Sequence, residues 1–330
     1  GLEFSLDSSL SGRDGEQIVV RDPFGRPIKI DRVTPARPGK AVFLTLDHTI
    51  QANAEQVLRQ TVSQWRAKSA TAIVLDPKTG AVLAMAEAPS YDANKSPSVN
   101  PTRQRNRAVS DAFEPGSVFK VVTIARTLLG EPRLRKWIAQ FGFGQPTGID
   151  FPGENQGLLP PYWSGSTIGN VPIGQGIAVT AIQLASVYAA IANKGLWVQP
   201  HLVDHVQGEK PPAPRTRRIL SPRVNRTLLQ MLKGVVSDTG TAASAEIRGY
   251  SVAGKTGTAQ KPGSHGYEAG KYVATFVGMV PASNPRLVVL VSVDEPTRAI
   301  FGGVVAAPAF AQIAAFDLQY LEVPPDLAVR

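Results

Sequence analysis

Five strand-length apolar runs sit toward the two ends of this chain, with helical patterns between them. The first two are the arms of "TAIVLDPKTGAVLAMAEAP" (71–89), around a Pro-Lys-Thr-Gly turn. The other three, "GYSVAGKTGTA" (249–259), "KYVATFVGMVP" (271–281) and "RLVVLVSVDEP" (286–296), follow one another near the C-terminus. Between them, "VTAIQLASVYAAIANKG" (179–195) reads as a helix capped by Gly195. "SPRVNRTLLQMLKGVV" (221–236) reads as another, with Ser221 as N-cap and Pro222 at N1. Strands, then helices, then strands predict an α+β fold whose antiparallel sheet is assembled from both chain ends.

Other elements support this order. Asp47 is an N-cap for a helix carrying Ile50, Val57, Leu58, Val62 and Trp65 at helical spacing. "AVFLTL" before it reads as a strand, and "TPARPGK" (34–40) as a linker. Residues 1–34 hold short runs, "QIVV" and "RPIKI", expected as small strands of an extended region. A last helix is expected over 305–321.

At 330 residues the chain can bury a large core, and its 43% apolar content marks it as globular. A net charge of +9 suits an anionic surface. The basic residues are scattered except for Arg215, Arg217 and Arg218, with no basic stripe among aromatics, so nucleic acid is not expected as a partner. There is no Cys, which excludes disulfides and Cys-ligated zinc. His48, His201, His205 and His265 lie in separate contexts, so no metal and no cofactor is expected. No apolar run reaches membrane-spanning length. The opening "GLEFSLDSSLSGRDGEQ" lacks an initiator Met and reads as trimmed.

The chemistry concentrates in "FEPGSVFK" (113–120). Ser117 and Lys120 are three apart at an expected helix start, so they share a face. Phe119, Val121 and Val122 flank the lysine, and desolvation would favour its neutral amine, a base for the serine hydroxyl. Free N–H groups in a first turn can hold an oxyanion. Alone, S-x-x-K reads more simply as a capping serine and a surface lysine. A second motif, "KTGT" (255–258), shifts the balance. Lys255 offers a charge for a carboxylate, Thr256 and Thr258 offer hydroxyls, and Gly257 permits close backbone approach. The copy at 77–80, "PKTG", reads as a hairpin turn.

S-x-x-K followed by K-T-G is part of the motif set of penicillin-binding proteins. The chain resembles a class B penicillin-binding protein over nearly its whole length, notably in "RNRAVSDAFEPGSVFK", "FGFGQPTGIDFPGE", "IGQGIAVTAIQLASVYAAIANKG" and "VAGKTGTAQK". It is most similar to the septal-division and spore-cortex branch. The resemblance implies a serine β-lactamase-like transpeptidase fold, with a five-stranded antiparallel sheet flanked by helices. It implies a remnant of an N-terminal pedestal at 1–38 and a transpeptidase domain at 39–330. It also implies a D,D-transpeptidase acting on peptidoglycan stem peptides and acylated by β-lactam antibiotics. Ser117 would be the nucleophile and Lys120 the general base. Lys255, Thr256, Gly257 and Thr258 would bind substrate, and the N–H groups of Ser117 and Thr258 would form the oxyanion hole. A membrane glycosyltransferase of division or elongation would be a partner, at the extracytoplasmic face of the bacterial membrane, with a single-pass anchor outside this sequence.

One part of the pattern is missing. No S-x-N occurs between 121 and 254. The only copy, Ser98-Val99-Asn100, precedes Ser117 and reads as a loop coincidence. Only 21 positions separate Lys120 from Phe141 of "FGFG", several tens fewer than the family has, with the join near Ala125. Three activities stay open at this point: the transpeptidase, a D,D-carboxypeptidase or β-lactamase, and a non-catalytic scaffold or β-lactam sensor. A class A lactamase needs a Glu from E-x-x-x-N to activate water. Glu154-Asn155 has the wrong spacing, so a long-lived acyl-enzyme is expected.

Overall fold

The computed structural model describes residues 1–98, 100–125, 130–264 and 266–328. Helix α1 (His48–Trp65) starts where expected, with the Asp47 carboxylate accepting from the N–H groups of Thr49 and Ile50 at 2.8 and 3.0 Å. Its buried stripe is Ile50, Ala54, Val57, Leu58 and Thr61. Strands β1 (Ser69–Leu75) and β2 (Val82–Ala88) follow. Asp76 closes their turn, accepting from Lys78 N, with Gly80 at φ +81°. The chain then runs through α2 (Lys120–Ile124), α3 (Gly130–Phe141), α4 (Ala181–Ala192) and α5 (Pro222–Gly234). Strands β3 (Ala253–Gly263), β4 (Gly266–Val280) and β5 (Leu287–Asp294) and helix α6 (Ala307–Tyr320) complete it.

The five strands form one sheet in the order β3-β4-β5-β1-β2, antiparallel throughout. The C-terminal strands thus insert their last member against β1, as the order of apolar runs predicts. The K-T-G strand β3 lies at one edge, and the "PKTG" turn joins the two strands at the other. Side chains alternate between two apolar layers. Ile73, Leu75, Val277, Met279, Val288 and Leu290 join the core around α4. Ala72, Val74, Ala274, Phe276, Val289 and Val291 join the core with α1 and α6. Because both faces are covered, the strands read as continuous apolar runs. All twelve residues of α4 are buried, which makes it the central post of the helical side.

Residues 2–10 form two helical turns, and Glu16–Arg21 pairs with Pro27–Thr34 as a hairpin. The hairpin is largely exposed, with Phe24 and Ile28 in solvent. Gly263, Gly266 and Gly270 suggest a mobile β-hairpin loop beside the K-T-G strand, and the structure shows that hairpin with its arms paired. Pro262 is opposite Tyr267 and Gly263 opposite Gly266. The Tyr267 hydroxyl donates to Glu114, tying the ribbon down. His265 lies outside the described residues.

Candidate active site

Ser117 sits in a single 3₁₀ turn, Gly116–Phe119, that runs directly into α2. The sequence predicts a helix start here, and the turn is tighter than that. Lys120 N–H donates to the Ser117 carbonyl, an i→i+3 bond. With three residues per turn, positions i and i+3 eclipse, so Ser117 and Lys120 project from the same side. Gly116 enters at φ +55°, and its N–H donates to the Gly174 carbonyl at 3.0 Å. Val118 and Phe119 are wholly buried, and the Tyr188 hydroxyl on α4 donates to the Val118 carbonyl at 2.9 Å. Burial pushes the Tyr188 hydroxyl well above its ordinary value, so it remains a donor. The apolar neighbours of Lys120 face the core while Lys120 is only half-buried, so they do not enclose it as their sequence proximity suggests.

The turn lies against β3. A side chain at Gly257 would come within 2.7 Å of the Pro115 carbonyl and 3.2 Å of Val118 Cγ1. One at Gly116 would come within 2.9 Å of the Thr258 carbonyl. These two glycines allow the Ser117 turn and the K-T-G strand to touch backbone to backbone. The fold thereby brings Ser117, Lys120, Lys255, Thr256, Gly257 and Thr258 together. All but Gly257 remain partly open to solvent.

Lys255 is lowered to about 8, by burial first and then by Coulombic repulsion from nearby Lys120. Its Nζ donates to the Thr256 carbonyl at 3.1 Å and to Thr256 Oγ1 at 3.2 Å. Thr258 Oγ1 accepts from Gly302 N at 3.1 Å. Two further residues join that sequence reading misses. Thr241 Oγ1 stands 3.2 Å from Thr256 Oγ1, extending the cationic cluster by one hydroxyl. Glu114 accepts from Gly176 N at 2.9 Å and from Tyr267 at 3.1 Å, and burial raises its carboxyl. It thus links the segment entering the Ser117 turn to the "IGQG" loop and the β3–β4 ribbon. Only the identity of "EPGS" as a unit hints at Glu114, and nothing local hints at Thr241.

Elsewhere, His205 stacks on Phe43 at 4.3 Å and pairs with Asp204. No group of three or more His, Asp or Glu that could hold a metal ion occurs among the described residues. Val99 of Ser98-Val99-Asn100 lies outside the described residues, and Asn100 caps the turn Pro101–Arg103. Residues 126–129, next to the join at Ala125, also lie outside them.

Comparison with known proteins agrees with this geometry. The family described as "Penicillin binding protein transpeptidase domain" matches residues 70–128 and 124–315. The two stretches overlap at 124–128, at the join expected near Ala125. The "Probable peptidoglycan D,D-transpeptidase PbpC" of Pseudomonas aeruginosa is 33% identical over 386 residues, covering 99% of this chain and 67% of that protein. The "Peptidoglycan D,D-transpeptidase FtsI" of Escherichia coli is 32% identical, covering 99% of this chain and 64% of that one. The chain thus spans about two thirds of the length of these relatives. The 386 aligned positions exceed the 330 residues of this chain, so the Pseudomonas protein carries residues without a counterpart here. Among solved structures, penicillin binding protein 3 of Mycobacterium tuberculosis superposes with a TM-score of 0.87 at 33% identity, over 100% of this chain and 87% of that one. That protein has also been solved with aztreonam and with ampicillin. With its Ser117 turn packed on a K-T-G edge strand, this chain belongs to the penicillin-binding protein transpeptidase family, among its class B members.

Proposed function

We propose that the chain is the transpeptidase part of a peptidoglycan D,D-transpeptidase, with Ser117 as nucleophile. The observation that carries this is the packing of the Ser117 turn against β3 at Gly257, which brings a hydroxyl, two amines and three threonine hydroxyls together. Ser117 Oγ attacks the carbonyl of the penultimate D-alanine while Lys120 takes its proton. The peptide C–N bond breaks, and the terminal D-alanine leaves with that proton on its amine. An amine of a second stem peptide then attacks the ester, forming the crosslink and freeing Ser117. The N–H groups of Ser117 and Thr258 hold the oxyanion. Lys255, Thr256 and Thr258 hold the substrate carboxylate. Residues 1–38 form part of a pedestal and 39–330 the catalytic domain. The protein works at the extracytoplasmic face of the membrane beside a glycosyltransferase.

The test is acylation by a penicillin, read by intact mass, followed by crosslinking of lipid-linked substrate in the presence of a glycosyltransferase. Both together support the reading, and no adduct on the unmodified protein sinks it. A second reading, a β-lactam-binding scaffold, is favoured by the missing S-x-N between 121 and 254. It would show an adduct but no crosslinks.

Two expectations follow from the carboxylate-binding end. Lys255 must be charged to hold a carboxylate and is lowered to about 8. Its charge is complete well below that pH and is lost above it. The second-order acylation rate should therefore fall along an alkaline limb near pH 8, and Lys255→Arg should move that limb upward. A rate still rising at pH 9.5 would refute this. Thr241→Val should slow acylation by a carboxylate-bearing penicillin by about 10- to 150-fold, the worth of one hydrogen bond to a charged group. Thr241→Ser should restore it, and the neutral ester of the same penicillin should be insensitive to either change.

A further inference from the structure

A second cavity, of about 250 Å³, shares no residue with the Ser117 site. The strand Thr216–Arg218 pairs antiparallel with Leu196–Val198, setting Arg217 opposite Trp197. The guanidinium carbon of Arg217 stands 5.2 Å from the indole centre. Arg215, two residues earlier, lines the same cavity, and its Nε donates to Gln199 Oε1 at 2.9 Å. Gln145 and Thr147, from the turns after α3, and Gln183 and Ser186 of α4 line it as well.

The charge in this cavity is oriented but not neutralised. None of its lining residues is Asp or Glu. The side chains of the two arginines are held by neutral groups, an amide and a ring. The two acids nearest in sequence to the Thr147 wall are both committed elsewhere at 2.6–2.9 Å, Asp150 to Leu202 N and Val203 N, and Glu154 to Thr147 N, Thr147 Oγ1 and Gly148 N. Partial burial lowers Arg217, and no acid acts to raise it. The cavity lined by Phe113 and Glu114 is built differently. There Lys261 is bridged to Asp294 and Glu295, and Arg107 to Glu87. Arg215 and Arg217, both exposed and each with one neutral partner, line an acid-free cavity and present several N–H donors, the chemistry that selects oxyanions over chloride.

We propose that Arg215 and Arg217 form a binding site for a phosphate-sized oxyanion, separate from the Ser117 centre. A free phosphate and the phosphate of an anionic lipid share this chemistry.

The probe is inorganic phosphate, titrated against the full chain with sodium chloride at matched ionic strength. Phosphorus NMR line-broadening should saturate and give a Kd. At ten times that Kd, Tm should rise by about 2 °C over the chloride control. The double variant Arg215→Gln, Arg217→Gln should lose both effects, and Arg217→Lys should keep part of them. Co-sedimentation with phosphatidylglycerol vesicles, but not phosphatidylcholine, by the wild type and not the double variant assigns a lipid source. Saturable phosphate binding without co-sedimentation assigns a free anion. Line-broadening that stays linear to tens of millimolar overturns the proposal, and that measurement needs only the wild type. An equal Tm rise in wild type and double variant also overturns it, because that is the general salting effect of phosphate on any fold.

Discussion

Ser117→Ala will remove the covalent penicillin adduct while leaving the fold intact. The loss should be at least about 10³-fold in acylation rate, because the substitution removes the proposed nucleophile. The substitution is clean for a structural reason. The turn that carries Ser117 is held by groups other than its hydroxyl: the Tyr188 bond to Val118 O, the Gly174 bond to Gly116 N, and the burial of Phe119. Stability should therefore change by no more than ~0.5 kcal/mol. Intact mass with a penicillin, beside a thermal melt of each protein, reads both quantities. An adduct of undiminished yield on the alanine variant would place the nucleophile elsewhere.

Asp317 should make the protein steadily less stable as pH rises from about 4 to about 8. This residue of α6 is fully buried, and neither carboxyl oxygen has a hydrogen-bond partner. Asn53 of α1 stands beside it and offsets the penalty only in part, and its own amide nitrogen is also unpartnered. Burial, reinforced by the charge of Asp47, pushes the carboxyl up to about 8. In the unfolded chain it ionises near 4. Between those values the folded chain holds a proton that the unfolded chain has released, so stability falls with pH across the window. A shift of this size sets an upper bound of about 6 kcal/mol on the loss. Asp317→Asn keeps the shape and removes the titration. Its urea-unfolding free energy should exceed that of the wild type by several kcal/mol more at pH 8.5 than at pH 4.5. Parallel pH profiles for the two proteins would show that Asp317 is ionised and solvated after all.

What was legible in the sequence was whatever is local. The Asp47 cap, the Ser221-Pro222 start of α5 and the five strands all follow from neighbours a few residues apart. Ser117 and Lys120 are likewise a local pair, and the shared face survives the change from α-helix to 3₁₀ turn. What was not legible depends on distant partners. Tyr267 and Glu114 meet across 153 positions, which turns a glycine-rich stretch into a tethered ribbon. Thr241 reaches Thr256 only because β3 lies at the sheet edge. Lys120 escapes its apolar neighbours because adjacent side chains in a turn point in different directions.

The sheet's topology also bears on how the chain folds. Leu75 pairs with Val288, 213 positions later, so the centre of the sheet cannot close until nearly the whole chain exists. Until then the β1–β2 hairpin has an open apolar edge and both apolar faces uncovered, a species prone to misassociation. High contact order of this kind makes for slow folding. Yet closure entropy grows only as the logarithm of loop length. The shortened stretch near Ala125 lies inside that closing loop. Removing some tens of residues from a loop of this size alters the cost of closing it by only ~0.2 kcal/mol. The sheet and the Ser117–β3 contact are therefore almost insensitive to the length of chain between Lys120 and Phe141.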